Sequence, residues 1–284
     1  MQKKPPKRNS WIAGTGAYQP GLRNVAGTEA VLPPLYLDAN EGRTDSAVLT
    51  RLAEELINNP ALLCTYPSTI GLEQSLAARY GVASERVVVC TGADDAIQRV
   101  ISYCCSADDK VLAYDPAFAM YEVYTRIRGG LPLTLPWYEN DAFPQAATLE
   151  LLRNCPSLAL VCLASPANPV GNCINRSELE VLAEACAING KSLLLDTTYE
   201  EFSDSRPGGA MAQSGLCYVV GTFSKAWGLA GLRVGWVIAP DAVSARCLRA
   251  AGGPYPASGP AIAAASFALQ NDDGLNQLRA DIAR

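Results

Sequence analysis

Thr222-Phe223-Ser224-Lys225-Ala226-Trp227-Gly228-Leu229-Ala230-Gly231-Leu232-Arg233-Val234-Gly235-Trp236 sets one lysine among hydroxyls and small residues. The apolar run Tyr218-Val219-Val220 just before it reads as a buried strand. Lys225 therefore stands where a strand ends and where glycines let a ligand come close. Arg233 follows eight residues later, a fixed cation suited to a phosphate. A lysine held in such a place can form a Schiff base with a carbonyl. A surface lysine after a core strand is the plainer reading of any single lysine, and the hydroxyls, glycines and arginine together argue against it.

Outward from this stretch, strand and helix patterns alternate. Strands are expected at 87–90, 110–113, 131–135, 158–163, 192–196, 217–222 and 235–239. Helical patterns are expected at 48–58, 72–80, 93–105, 119–127, 177–188 and 241–251, the fifth opened by a Ser177…Glu180 capping box. Alternation of this kind predicts an α/β fold, with a mostly parallel seven-stranded sheet covered by helices on both faces. Ligands of such sheets sit at the carboxyl ends of the strands. Residues 1–36 are rich in Pro and Gly without a sustained period and read as an extended arm.

Composition narrows the chemistry. The 284 residues are 49% hydrophobic, enough for one large core or one large domain plus part of a second. A formal charge of −5 argues against a nucleic-acid surface, and the Lys3, Lys4, Lys7, Arg8 cluster reads as a solvated tail. No apolar stretch approaches the roughly 20 residues that span a bilayer, so no membrane contact and a soluble, cytoplasmic protein are expected. The ten cysteines sit mostly within apolar runs and form no Cys-x-x-Cys pair, which predicts reduced core residues. The complete absence of histidine excludes Ser-His-Asp and Cys-His catalysis and removes the commonest zinc ligand, so no metal site is expected. Chemistry must come from Lys, Asp, Tyr and a cofactor.

Four further segments fall at expected strand ends. Thr91-Gly92-Ala93-Asp94-Asp95 follows the first strand and opens a helix, whose free N–H groups and dipole can bind an anion. A plain N-cap at Thr91 or Asp94 accounts for the same residues locally. Asp115-Pro116-Ala117-Phe118-Ala119-Met120-Tyr121 follows the second strand. Ser165-Pro166-Ala167-Asn168-Pro169-Val170-Gly171 is a turn that presents an amide. Leu193-Leu194-Leu195-Asp196-Thr197-Thr198-Tyr199 ends an apolar strand with an acid, which is rarely mere packing. The run 185–192 fits a loose phosphate-loop pattern but leaves a helix and enters a strand, the reverse of a nucleotide-binding loop.

These segments together resemble the pyridoxal-phosphate (PLP) aminotransferases of fold type I, particularly the histidinol-phosphate branch. The lysine stretch follows that family's Ser/Thr-x-Ser-Lys-x-x-Gly-x-x-Gly-x-Arg-x-Gly pattern. The resemblance implies that Lys225 carries the cofactor and moves the α-proton, and that Asp196 keeps the pyridine nitrogen protonated. It implies that Asn168 and Tyr199 reach the phenolate oxygen and that Phe118 stacks on the ring. The phosphate would rest on Gly92, Ala93 and Asp94, joined by Thr222, Ser224 and Arg233. Tyr66, in a Tyr-Pro step, would reach the phosphate of a neighbouring subunit, which implies a homodimer. Tyr18 and Asn40, in Gly16-Ala17-Tyr18-Gln19-Pro20-Gly21 and Leu37-Asp38-Ala39-Asn40-Glu41, match the branch's N-terminal signatures and would meet the substrate.

Departures from the family pattern are Ser165 and Val170 where it has Asn and Thr, Thr197-Thr198 where it has Glu-Ala, and Phe118 where it more often has Tyr. The implied organisation is an arm (1–36), a PLP-binding large domain (37–260) and the start of a small domain (261–284), whose continuation in the family holds an arginine for the substrate carboxylate. The implied activity is transamination between an amino donor and a 2-oxo acid acceptor, with histidinol phosphate and 2-oxoglutarate or glutamate as the pair, in histidine biosynthesis. A PLP decarboxylase of a phosphorylated amino acid, of the phosphothreonine type, shares the scaffold. A PLP-binding remnant without turnover is the reading from another class.

Overall fold

Val87-Val88-Val89-Cys90 shows how this sheet is built: three β-branched residues and a cysteine, all buried, form β1 (Val87–Cys90). The residues alternate between two core layers, Val87 and Val89 packing on one face of the sheet and Val88 and Cys90 on the other. Near-continuous apolar runs of this kind mark strands covered on both sides. The computed structural model describes residues 10–13, 15 and 39–282.

The remaining strands are β2 (Lys110–Asp115), β3 (Leu131–Pro136), β4 (Leu158–Ala164), β5 (Ser192–Asp196), β6 (Tyr218–Thr222) and β7 (Gly235–Ile238). They form one seven-stranded sheet in the order β1-β7-β6-β5-β4-β2-β3. The sheet is mostly parallel, and β7 runs antiparallel to both its neighbours. The register brings the site together. Ala164 pairs with Asp196, Asp196 with Val220, and Gly235 with both Thr222 and Cys90. The carboxyl ends of β1, β4, β5 and β6 thus share one edge of the sheet with the start of β7.

Short turns α1 (Ser10–Ala13) and α3 (Ala61–Cys64) flank α2 (Ser46–Asn58), and α4 (Ile70–Tyr80) leads into the sheet. One face is covered by α5 (Gly92–Cys104), α6 (Met120–Ile127) and α10 (Ala242–Ala250), through Ile97, Val100, Tyr121, Ala245 and Leu248. The other is covered by α2, α4, α7 (Gln145–Asn154), α8 (Arg176–Ile188), α9 (Gly208–Ser214) and α11 (Gly259–Leu269). Alanines three or four positions apart on α11 (Ala261, Ala264, Ala265, Ala268) are buried, and this stripe lies against α2 and α4. The last described helix is α12 (Asp272–Ile282). Among the described residues no helix is long and apolar enough to cross a membrane.

Three expectations shift. Helix α8 begins one residue earlier and its capping box is formed by Asn175 and Glu178. Ser177 instead donates to Asn175 Oδ1 at 2.8 Å, and Glu180 pairs with Arg176. Asn is the stronger cap here because its side-chain oxygen reaches the Glu178 N–H at 2.8 Å. Strands β2, β3 and β4 run one or two residues longer than their apolar patterns, because pairing continues through Asp115 and Pro136. Helices α7 and α9 carry weak helical patterns; α9 opens on two glycines and is held by burial of Met211 and Ala212.

Candidate active site

A cleft of about 470 Å³ opens at the shared sheet edge, where the strand ends and the N-termini of α5 and α6 meet. Lys225, Asp196, Tyr199, Asn168, Phe118, Asn40, Ala93, Asp94, Thr222, Ser224 and Arg233 all line it. Residues up to 194 positions apart, Ala39 and Arg233, meet in this cleft. Across 159 positions of chain, Asn40 Nδ2 donates to the Tyr199 hydroxyl at 3.2 Å.

Lys225 follows the end of β6 by three residues, and its Nζ donates to the Ala39 carbonyl at 2.6 Å. The ammonium lies 5.8 Å from the centre of the Tyr199 ring. Beside it, Thr222 Oγ1 bonds Ser224 Oγ at 2.9 Å and accepts the Ser224 N–H at 3.1 Å. Ser224 Oγ in turn accepts from Arg233 Nη1 at 3.3 Å, while Arg233 Nη2 reaches Asp94 Oδ2 at 3.2 Å. Arg233 adopts a left-handed backbone, φ 52°. An arginine held there departs from the usual preference and marks a position where side-chain direction outweighs local backbone energy.

Gly92, at the opening of α5 with φ 79°, sits directly beneath that guanidinium: a Cβ there would lie 2.7 Å from Arg233 Nη2. Gly92 does not itself line the cleft, whose wall here is Ala93 and Asp94. The Thr91 hydroxyl does not cap α5. It donates instead to the Pro256 carbonyl, so a side-chain N-cap does not explain this segment.

Asp196, at the carboxyl end of β5, is only 5% exposed yet faces the cleft. The Tyr121 hydroxyl donates to its Oδ2 at 2.7 Å and the Thr198 N–H to its Oδ1 at 3.0 Å. Burial pushes its carboxyl above the ordinary carboxylate range, and the bonds from Thr198 and Tyr121 pull it back part of the way. No arginine or lysine among the described residues forms an ion pair with it. Tyr121 is buried, and its phenol is held well above its ordinary range, chiefly by that burial.

One expected site residue stands elsewhere. Tyr66 is 79% exposed, lies outside the cleft and stacks on Tyr255 with ring centres 4.2 Å apart. Tyr18 lies outside the described residues. Sequence reasoning missed the role of Tyr121 as the hydroxyl partner of Asp196, and the cleft-lining Met120, Tyr124 and Thr198. The available signal was the short spacing of Phe118, just before α6, and Tyr121, in its first turn, whose rings meet edge to face with centres 5.8 Å apart. Of the departures from the family pattern, Ser165 is buried and its Oγ accepts the Ile174 N–H at 3.2 Å, so it fastens the Asn168 loop.

The model of the family described as aminotransferase class I and II matches residues 34–284. The histidinol-phosphate aminotransferase of Ruminiclostridium cellulolyticum is 34% identical over 217 residues, which is 73% of this chain and 58% of that protein. That of Ruegeria pomeroyi is 32% identical over 280 residues, 94% of this chain and 73% of that protein. Among solved structures, the histidinol-phosphate aminotransferase of Sinorhizobium meliloti in complex with pyridoxal-5'-phosphate superposes with a TM-score of 0.77. It covers 86% of this chain and 66% of that one at 24% identity, a likeness of fold. The chain thus spans between about half and three quarters of the length of the curated relatives it matches. With the family model matching nearly the whole of it, the chain belongs to the class I and II aminotransferases.

Proposed function

We propose that this chain binds pyridoxal 5'-phosphate and catalyses transamination of an amino acid or amino-alcohol phosphate, with histidinol phosphate, to which the relatives' names point, as amino donor and 2-oxoglutarate as acceptor. The observation that carries the reading is one cleft lined by a lysine, a buried acid with no ion pair among the described residues, and an arginine–hydroxyl corner. Each feature fits a part of the cofactor. A buried carboxylate with no cationic partner suits a protonated pyridine nitrogen. The glycine floor beneath Arg233 leaves room that a Cβ would fill, beside donors that suit a phosphate.

The bound cofactor supplies an electron sink for the pair left when the substrate's α-carbon loses its proton. The chain's residues do the rest. Lys225 holds the cofactor through Nζ and then takes and returns the α-proton. Asp196 holds the proton on the ring nitrogen, with Tyr121 and the Thr198 N–H fixing both carboxylate oxygens. Asn168 and Tyr199 would donate to the cofactor's ring hydroxyl oxygen, and Phe118 would pack on the ring, all three lining the cleft. Thr222, Ser224, Arg233 and the backbone N–H groups of Gly92, Ala93 and Asp94 hold the phosphate, and Asn40 and Tyr18 meet the substrate. The exposure of Tyr66 supports its reaching a second copy of the chain, which makes the working unit a homodimer. The cytoplasm is the compartment that suits this activity.

Incubating the purified protein and PLP with histidinol phosphate and 2-oxoglutarate, and following products by mass spectrometry, tests the reading. The expected result is glutamate formation that depends on both substrates. Product released without an acceptor and with loss of carbon dioxide from an amino-acid substrate would overturn it, as would PLP binding with no turnover across an amino-acid and keto-acid screen.

A further inference from the structure

We infer that Asp95 and Arg99 are positioning residues that keep the first turn of α5 open for the cofactor phosphate. The inference rests on the proposed PLP site and deepens it. The first turn of any helix leaves N–H groups without intrahelical partners, and the N-cap side chain ordinarily takes one of them. Here the N-cap is Thr91, and its hydroxyl turns away to the Pro256 carbonyl. The Thr91 N–H is instead taken from within the helix by Asp95 Oδ2 at 2.8 Å. The turn is therefore tied from its far side, and its open side points at the Ser224–Arg233 corner.

An aspartate alone in the first turn could swing toward the cleft, where its charge would oppose a phosphate. Arg99 prevents this. Its Nε and Nη2 grip both oxygens of Asp95 at 2.9 and 2.7 Å, one helical turn away. Arg99 is 3% exposed, and its third nitrogen donates to the Leu248 carbonyl of α10 at 3.3 Å. The guanidinium has no room to move, because Gly252, just past α10, faces it so closely that any Cβ there would collide with it. Asp95 is thus held back from the cleft, while Asp94 next to it lines the cleft and meets Arg233.

The test compares binding of pyridoxal 5'-phosphate and of pyridoxal, which lacks the phosphate, by absorbance titration of the purified chain. Wild type is expected to prefer the phosphorylated form. Asp95→Ala and Arg99→Ala are expected to lower that preference by about tenfold or more, with pyridoxal binding unchanged. Arg99→Lys keeps the charge without the fork and is expected to lower it by less. Asp95→Asn, which keeps the shape, serves if the alanine variants melt below the assay temperature. Equal loss of both ligands, or no loss of either, overturns the inference while leaving the PLP reading intact. A wild-type chain that holds the two ligands equally overturns the phosphate site itself, and this inference with it.

Discussion

Two buried acids in this protein show how alike residues come to serve different ends. Glu73, on α4, accepts the Val89 N–H at 3.2 Å and pairs with Arg249 at 3.3 Å. Its charge is met within the protein, and it ties α4, β1 and α10 into one body. Asp196 is as buried, yet its partners are a neutral phenol and a backbone N–H, and it faces a cleft. Burying a charge without a counter-charge costs stability, so the end of β5 holds a deficit that the α4 junction does not. The contrast teaches that the site is recognised by its company: a buried acid with no ion pair among the described residues shares one cleft with a lysine and an arginine.

Predictions follow from pressing on that contrast, beginning where the effect is greatest. Lys225→Ala should abolish turnover and the borohydride-fixed pyridoxyl label while the thermal melt stays cooperative; peptide mapping that finds the label on another lysine would break the assignment. Asp196→Asn should retain PLP but slow α-proton exchange by about 10²–10³-fold, measured by deuterium loss from substrate. Near wild-type exchange would place the two acids in one class and end the comparison.

Glu73→Gln should do the opposite. It is expected to cost about 2 kcal/mol in denaturant unfolding, because a buried charged hydrogen bond is lost, and to leave proton exchange unchanged. Tyr121→Phe should slow exchange by about tenfold through loss of one hydrogen bond to a charged group, with a steeper loss toward acid, since one of the bonds that pull the Asp196 carboxyl back down is gone. A rate profile that keeps its acid limb unmoved would show that Tyr121 only fills space.

The smallest effect is one of sign. The Asp196 pKa is raised in the fold, so between its ordinary value near about 3.9 and the raised one the folded state holds more protons than the unfolded, and stability falls as pH rises. Above that window the charged acid is a cost that Asn does not carry. The apoprotein of Asp196→Asn should therefore melt higher than wild type at neutral pH, with the gap closing as pH falls through the carboxylate range. An equal or lower melting temperature at neutral pH would mean that the Tyr121 and Thr198 bonds already offset the burial.

The sequence by itself determined the sheet and most of what stands at its end. Seven apolar runs with alternating helical patterns led to seven strands, because burial on both faces leaves a continuous apolar signal. Lys225, Asp196 and Asn168 were legible because each lies at or just past the end of such a run, and Arg233 because it lies just before the next one, at the edge where the sheet gathers its side chains. Boundaries set by pairing or capping were less legible, as at Asp115 and Asn175, since the partner that extends a strand or closes a helix is not encoded in local pattern. Tertiary structure alone decided who satisfies whom. That Tyr121 serves Asp196 from another element, that Arg249 serves Glu73 across 176 positions of chain, and that the Thr91 hydroxyl turns to Pro256 all depend on distances between elements. A hydrogen bond needs its partner within about 3 Å, and no periodicity along a chain carries that information.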